Sequence, residues 1–247
     1  MTSAPDVSLP GPLIEILALS KQYGRADPLR IAELRVDAAD RVVMSGLDAG
    51  AAETFVHLVT GAALPDEGEV RIEGRPTREI ETDAEWLTSL DRFGLVTHRS
   101  VLFEALPVAA SLALPLTLSI DPMPPEIRRR VGELAALAGL DEARLDAPAS
   151  SLAPADRARV HLARAIAHGP RLVLLERPTE GFASAAEGRG FGDALRRAGE
   201  AAGFGWLAIS DDESFARAAG GARLALSPRT GALAGPRRWC WPWAGAR

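Results

Sequence analysis

The sequence predicts an α/β protein, and three observations carry that expectation. Apolar strand-like runs alternate with helical patterns along the chain. Leu172 to Leu175 is an unbroken aliphatic run that ends in polar Glu176 and Arg177, as a parallel strand buried on both faces would. Arg41 to Gly61 reads as a strand, a turn of small residues and an amphipathic helix. Strands are expected at Leu13–Leu19, Leu29–Val36, Arg41–Ser45, Glu69–Glu73, Phe93–Thr97, Arg171–Leu175, Trp206–Ser210 and Arg223–Ser227. Helices are expected at Ala51–Thr60, Pro125–Ala138, Pro154–His168, Ala183–Ala202 and Asp212–Ala219. The Pro-rich stretch from Ile120 to Glu126 separates two helical pieces, and no internal repeat is visible.

Composition narrows the function classes. At 247 residues, 47% hydrophobic and 25% charged, the chain can bury one sizeable core or two modest lobes. A net charge of -5 gives no reason to expect a nucleic-acid partner. A single cysteine, Cys240, excludes an internal disulfide framework. The N-terminus lacks the basic start and long apolar core of a signal peptide, so a cytoplasmic location is expected. Val101 to Ile120 is long enough to raise the question of a membrane span. Pro107 and Pro115 interrupt it and Glu104 lies within it, which favours short helices packed on protein over a membrane-dipping segment.

Chemistry is expected where strands end. A turn between a strand and a helix aims backbone N–H groups and the positive end of the helix dipole at one point, the usual way of holding phosphate. A working phosphate loop reads GxxxxGK[ST], because glycine lets the backbone approach, lysine reaches the outer phosphates and the hydroxyl ligates magnesium. Here Gly46 stands first, but Ala51, Ala52 and Glu53 fill the last three positions, followed by Thr54.

At this point the chain resembles the nucleotide-binding (ATPase) subunit of ABC transporters over nearly its whole length. LIEILALSKQYG is similar to the first strand and adenine-stacking loop, with Tyr23 at the aromatic position. GAALPDEGEVRIEG, from Gly61 to Gly74, is similar to the stretch after the first helix. FGLVTHRSVLFEALPVAASLALPL, from Phe93 to Leu116, resembles the strand and coupling loop that face a membrane subunit, with His98 where the family has glutamine. SLAPADRARVHLARAIAHGPRLVLLERPTEGF, from Ser151 to Phe182, resembles the signature helix and second strand, and WLAISDDESF the last strand and switch loop. Leu152 to Glu176 keeps the family's separation of 24 positions. The resemblance implies a P-loop NTPase-like core with an antiparallel β subdomain and a helical subdomain. It divides the chain into 1–97 (β subdomain and first part of the core), 98–153 (helical subdomain with coupling loop), 154–235 (second part of the core) and 236–247 (tail). ALPL followed by a helix and AGL is most similar to the subgroup serving lipid and lipoprotein transport or cell-division permeases.

The same resemblance implies that the chemical positions have been emptied. Ala52 lacks the phosphate-binding ammonium, and Glu53 puts a carboxylate where magnesium would have a hydroxyl. That carboxylate is expected to satisfy the helix start in place of the missing anion. Glu176 could ligate a metal in place of aspartate, but Arg177 stands where a general base belongs and stays protonated. Asp211 replaces a histidine, and Ala183 an aspartate. In the signature, Ala153, Pro154, Ala155 and Asp156 remove a hydroxyl and an N–H and add a negative charge.

The expectation is therefore a non-hydrolysing (pseudo-ATPase) subunit with no cofactor and no metal. It would be peripheral on the inner face of the membrane, docked on an integral permease-like protein and dimeric with itself or a relative. An ATP-hydrolysing subunit with an atypical Mg-ATP site, and an ATP sensor without turnover, stand as the alternatives. Arg177 is expected near Glu53, Glu176 or Asp211, because buried charges need partners. Tyr23 either stacks on adenine or packs on its own loop. His98, His161 and His168 show no ligand spacing, so ordinary polar roles are expected, with His98 a candidate contact to a membrane partner. Trp239, Trp241 and Trp243, after Arg237 and Arg238, suit a partner or headgroup layer, or a tail folded on its own domain.

Overall fold

The aliphatic run at 172–175 lies inside a six-stranded sheet, which is why it can be apolar throughout. The computed structural model describes residues 11–236 except Ala26 and His98. In chain order the described elements are β1 (Ile14–Lys21), β2 (Leu29–Val36), β3 (Arg41–Ser45), α1 (Ala49–Val59), β4 (Glu67–Ile72), β5 (Arg75–Pro76), α2 (Asp83–Leu90), β6 (Phe93–Thr97) and α3 (Val108–Ala113). They continue with α4 (Pro125–Leu137), α5 (Pro154–Ala165), β7 (Leu172–Glu176), α6 (Ala185–Ala202), β8 (Gly205–Ile209), α7 (Glu213–Ala219), β9 (Ala222–Leu226) and β10 (Leu233–Ala234).

One sheet, in the order β2-β1-β4-β5, is antiparallel. The other runs β10-β9-β3-β8-β7-β6, parallel except for the short edge strand β10. The alternation of side chains along each parallel strand divides the interior in two. Val42, Met44, Leu172, Leu174, Leu207 and Ile209 face α1 and the antiparallel sheet. Val43, Val96, Val173, Leu175, Trp206 and Ala208 face a second core built with α3 to α7. Parallel strands covered on both sides require this arrangement, and the sites lie at their carboxyl ends.

Every expected strand forms, with ends shifted by two residues at most. α2 was not anticipated, whereas α3 is one of the short helices expected within the 101–120 run, though its bounds were not. α2 begins at a capping box, Thr82 with Glu85, which is a readable start signal. α3 is buried along all six of its residues, so no polar face marks its period. Among the described residues no helix is long and apolar enough to cross a membrane, and the 101–120 run folds as α3 with irregular flanks. Lys21, the one lysine of the chain, pairs with Asp66 at 2.7 Å where β1 ends.

Trp206 is the largest fully buried side chain. Gly199 on α6 leaves room for its ring, since a Cβ there would come within 2.7 Å of it, and the Arg41 guanidinium sits 5.0 Å from the ring centroid. Trp206→Ala is expected to destabilise the fold by about 3–5 kcal/mol through the cavity it leaves. Urea unfolding followed by circular dichroism checks this.

Candidate functional site

The site is built where β3, β7 and β8 end. After β3 the chain turns at Gly46, whose φ of +89° and approach to the Leu226 carbonyl exclude a side chain: a Cβ would lie 2.4 Å from that oxygen. The helix then starts at Ala49, two residues earlier than expected, because Asp48 caps it by accepting a hydrogen bond from the Ala51 N–H at 2.7 Å. On the other side of the turn, Asp211 accepts from the Gly46 N–H at 2.9 Å. Two backbone donors of this anion-holding turn are thus bound to the chain's own carboxylates. Sequence reasoning gave Glu53 that role. The structure assigns it to Asp48 and Asp211, because Glu53 lies a full turn into α1 and points elsewhere. Asp48 was readable as an N-cap before a helical pattern.

Ala51 and Ala52 are buried under α1, and the Thr54 hydroxyl donates back to the Gly50 carbonyl at 2.7 Å. The Tyr23 ring packs on the first turn of α1, where a Cβ on Gly50 would come within 3.0 Å of it, and its hydroxyl donates to Asp48 at 3.2 Å. Burial and the neighbouring Asp48 hold the Tyr23 hydroxyl above its usual pKa.

The cation of the site is Arg99. Its guanidinium spans two carboxylates, bonding Glu176 at 2.6 Å and forming a close ion pair with Glu53. Glu176 is 1% exposed, so it is neither solvated nor free for another cation. The expected partner, Arg177, instead pairs with Glu180 at 3.0 Å. The reason is local: Arg177 takes a left-handed φ of +45° just past β7, and its Nε bonds the carboxylate three residues ahead. Arg99 arrives from the neighbouring strand, where Thr97 stands beside Glu176 in the β6–β7 register. Nothing in the linear spacing announces that adjacency.

At the start of α5, Ala153 gives no side-chain cap and Pro154 takes the first turn, where its missing N–H costs least. Ala155 is buried. Asp156 is not a bare charge: Arg159 lies 3.3 Å and Arg144 3.7 Å away. His98 and the tryptophans 239, 241 and 243 fall outside the described residues. A cavity of about 420 Å³ opens between the loop after β6 and the start of α5, lined by Leu102, Pro154, Ala158, His161 and Arg177 among others.

With this geometry in view, the comparisons with known proteins decide the family. Residues 34–180, more than half of the chain, match the family model described as ABC transporter. The chain belongs to the ABC transporter family. It is 29% identical over 168 residues to the methionine import ATP-binding protein MetN of Brucella abortus, covering 68% of this chain and 45% of that protein. It is also 29% identical over 203 residues to the sulfate/thiosulfate import ATP-binding protein CysA of Caulobacter vibrioides, covering 81% and 58%. The ABC-family chain therefore spans about half the length of the curated relatives it matches. Among solved structures, the ATP-binding cassette MJ0796 bound to ADP and Pi aligns with a TM-score of 0.70 at 22% identity, covering 87% of this chain and 94% of that one. CbiO1 of Clostridium perfringens aligns with a TM-score of 0.72 at 17% identity, covering 91% and 87%. The fold is that of the ABC ATPase cassette.

Two outcomes follow from the site. Asp48→Ala removes the cap of α1 and is expected to cost about 1 kcal/mol, read from urea midpoints. His161 is buried with its Nδ1 unpartnered among the described residues; burial first, then the Arg164 and Arg157 charges, lower its pKa from 6.5 to about 4. The unfolded chain therefore takes up a proton before the folded one does, so stability falls as pH drops from 6.5 towards 4. His161→Leu is expected to flatten that limb of the stability–pH curve, measured by thermal unfolding across this range.

Proposed function

We propose that the chain is a non-hydrolysing subunit of an ABC transporter, kept for docking and assembly rather than for turnover. The observation that carries this reading is the Arg99 guanidinium held between Glu53 and Glu176. In a working site of this kind, the space between the helix start and the second strand end is where magnesium and the outer phosphates are neutralised. Here a side chain of the same polypeptide supplies the positive charge. The donors present do not suit a magnesium triphosphate. The Gly46 and Ala51 amides are already bound to Asp211 and Asp48, the one lysine of the chain, Lys21, is paired with Asp66, and the Ala52 side chain offers no polar atom. An entering triphosphate would meet four carboxylates, Asp48, Glu53, Glu176 and Asp211, and would have to displace two hydrogen bonds and the ion pairs of Arg99. No residue at 177 can take a proton from water.

The relatives named for methionine and sulfate or thiosulfate import support a place in an importer-type assembly. The partner is then an integral membrane permease-like protein, met through the loop after β6, where Val101 is 72% and Phe103 50% exposed. The chain would sit peripherally on the inner membrane face, paired with itself or with an intact relative.

Titration of the purified chain with Mg-ATP by calorimetry, together with a phosphate-release assay, tests the reading. No heat of binding at millimolar nucleotide and no phosphate release are expected. Tight binding with turnover would overturn it in favour of an atypical ATPase, and tight binding without turnover in favour of a sensor.

A further inference from the structure

We propose that Arg99 is an internal latch, which fixes the loop from 99 to 107 to the core by the chain's own charges and so holds the docking segment in one position without nucleotide. The idea rests on the reading of that loop as the docking segment. On the core side the loop is also held by Leu102, which is 5% exposed and packs in the second core, and by the Ser100 N–H, which donates to the Thr97 carbonyl at 3.1 Å. It runs without helix or strand between β6 and α3, and its tips Val101 and Phe103 project into solvent.

Its attachments divide into two sets. Towards the helical part of the molecule, Arg164 donates to the Val101 carbonyl at 2.8 Å, and Arg157 holds both oxygens of Glu104 at 2.7 and 2.9 Å. The Ser150 N–H donates to the Glu104 carbonyl and the Ala149 N–H to the Leu106 carbonyl, each at 3.1 Å. Towards the core, the ionic attachment is Arg99, which reaches α1 through Glu53 and the end of β7 through Glu176. Cutting that one residue should loosen the first part of the loop, around Arg99 and Ser100, while leaving Leu102 packed in the core and the rest tied to α5.

The two limbs of the latch are unequal. Glu53 is nearly half exposed, so its pairing is screened by water and contributes little. Glu176 is buried, and a buried carboxylate deprived of its cation is strongly unfavourable. The hold therefore comes from Glu176, and Glu53 chiefly steers the guanidinium.

Hydrogen exchange on the full chain, followed at the Ser100, Leu106, Ala149 and Ser150 amides, separates a latch from a merely stabilising pair. Arg99→Gln is expected to speed exchange at Ser100 by about tenfold or more, while Leu106, Ala149 and Ser150 on the side tied to α5, and the β1 and β2 amides, stay near the wild-type rate. Glu53→Gln should change those amides by less than about twofold. If Arg99→Gln does not fold, the double variant Arg99→Gln/Glu176→Gln removes the unpaired buried charge and must show the same loosened loop. Wild-type exchange at Ser100 in either folded variant would overturn the latch, as would a uniform acceleration across the whole chain in the double variant. Mg-ATP binding is measured separately on the wild-type chain, so a failure of the non-hydrolysing reading is recognised independently of this comparison.

Discussion

A carboxylate buried at the end of a strand must have a cation, and Glu176 sets that demand for the whole site. At 1% exposure water cannot solvate it. In a nucleotide-loaded cassette a metal ion would help to meet such a need. This chain meets it with Arg99, brought in by the parallel pairing of β6 with β7. Removing either partner is costly even if the intact pair adds little to net stability. The pair is better understood as a constraint on structure than as a source of stability.

The rest of the site follows the same electrostatic logic. A helix N-terminus and a glycine turn concentrate partial positive charge, which attracts anions. Asp48 and Asp211 supply those anions from within the chain, and each is held by a hydrogen bond to a backbone donor. Across the site, Arg99 pairs with Glu53 and Glu176, and the Gly46 and Ala51 amides pair with Asp211 and Asp48. The start of α5 is balanced in the same way, with Asp156 beside Arg159 and Arg144.

The architecture itself is built from apolar packing rather than from this chemistry. Its two cores are separated by the alternating faces of the parallel strands and sealed by α1 on one side and α3 to α7 on the other. A cassette can therefore keep its architecture while its site changes, because burial of apolar surface holds the one and a few polar side chains decide the other.

Periodicity and breakers made the architecture legible. The strand at 172–175 is apolar because both its faces are covered, and Pro154 marks the start of α5 because proline suits a first turn. That Ala52 carries no polar group, Arg177 no base and Pro154 no N–H was equally legible, since the identity of a residue limits its chemistry wherever it sits. The partners were not. Arg99 meets Glu176 across 77 positions, and Asp211 meets Gly46 across 165, through strand order that no local spacing encodes. The amino-acid sequence by itself determined which groups this molecule lacks. Only the tertiary structure decided which groups took their places, because an ion pair depends on distance in space and the order of the strands sets that distance.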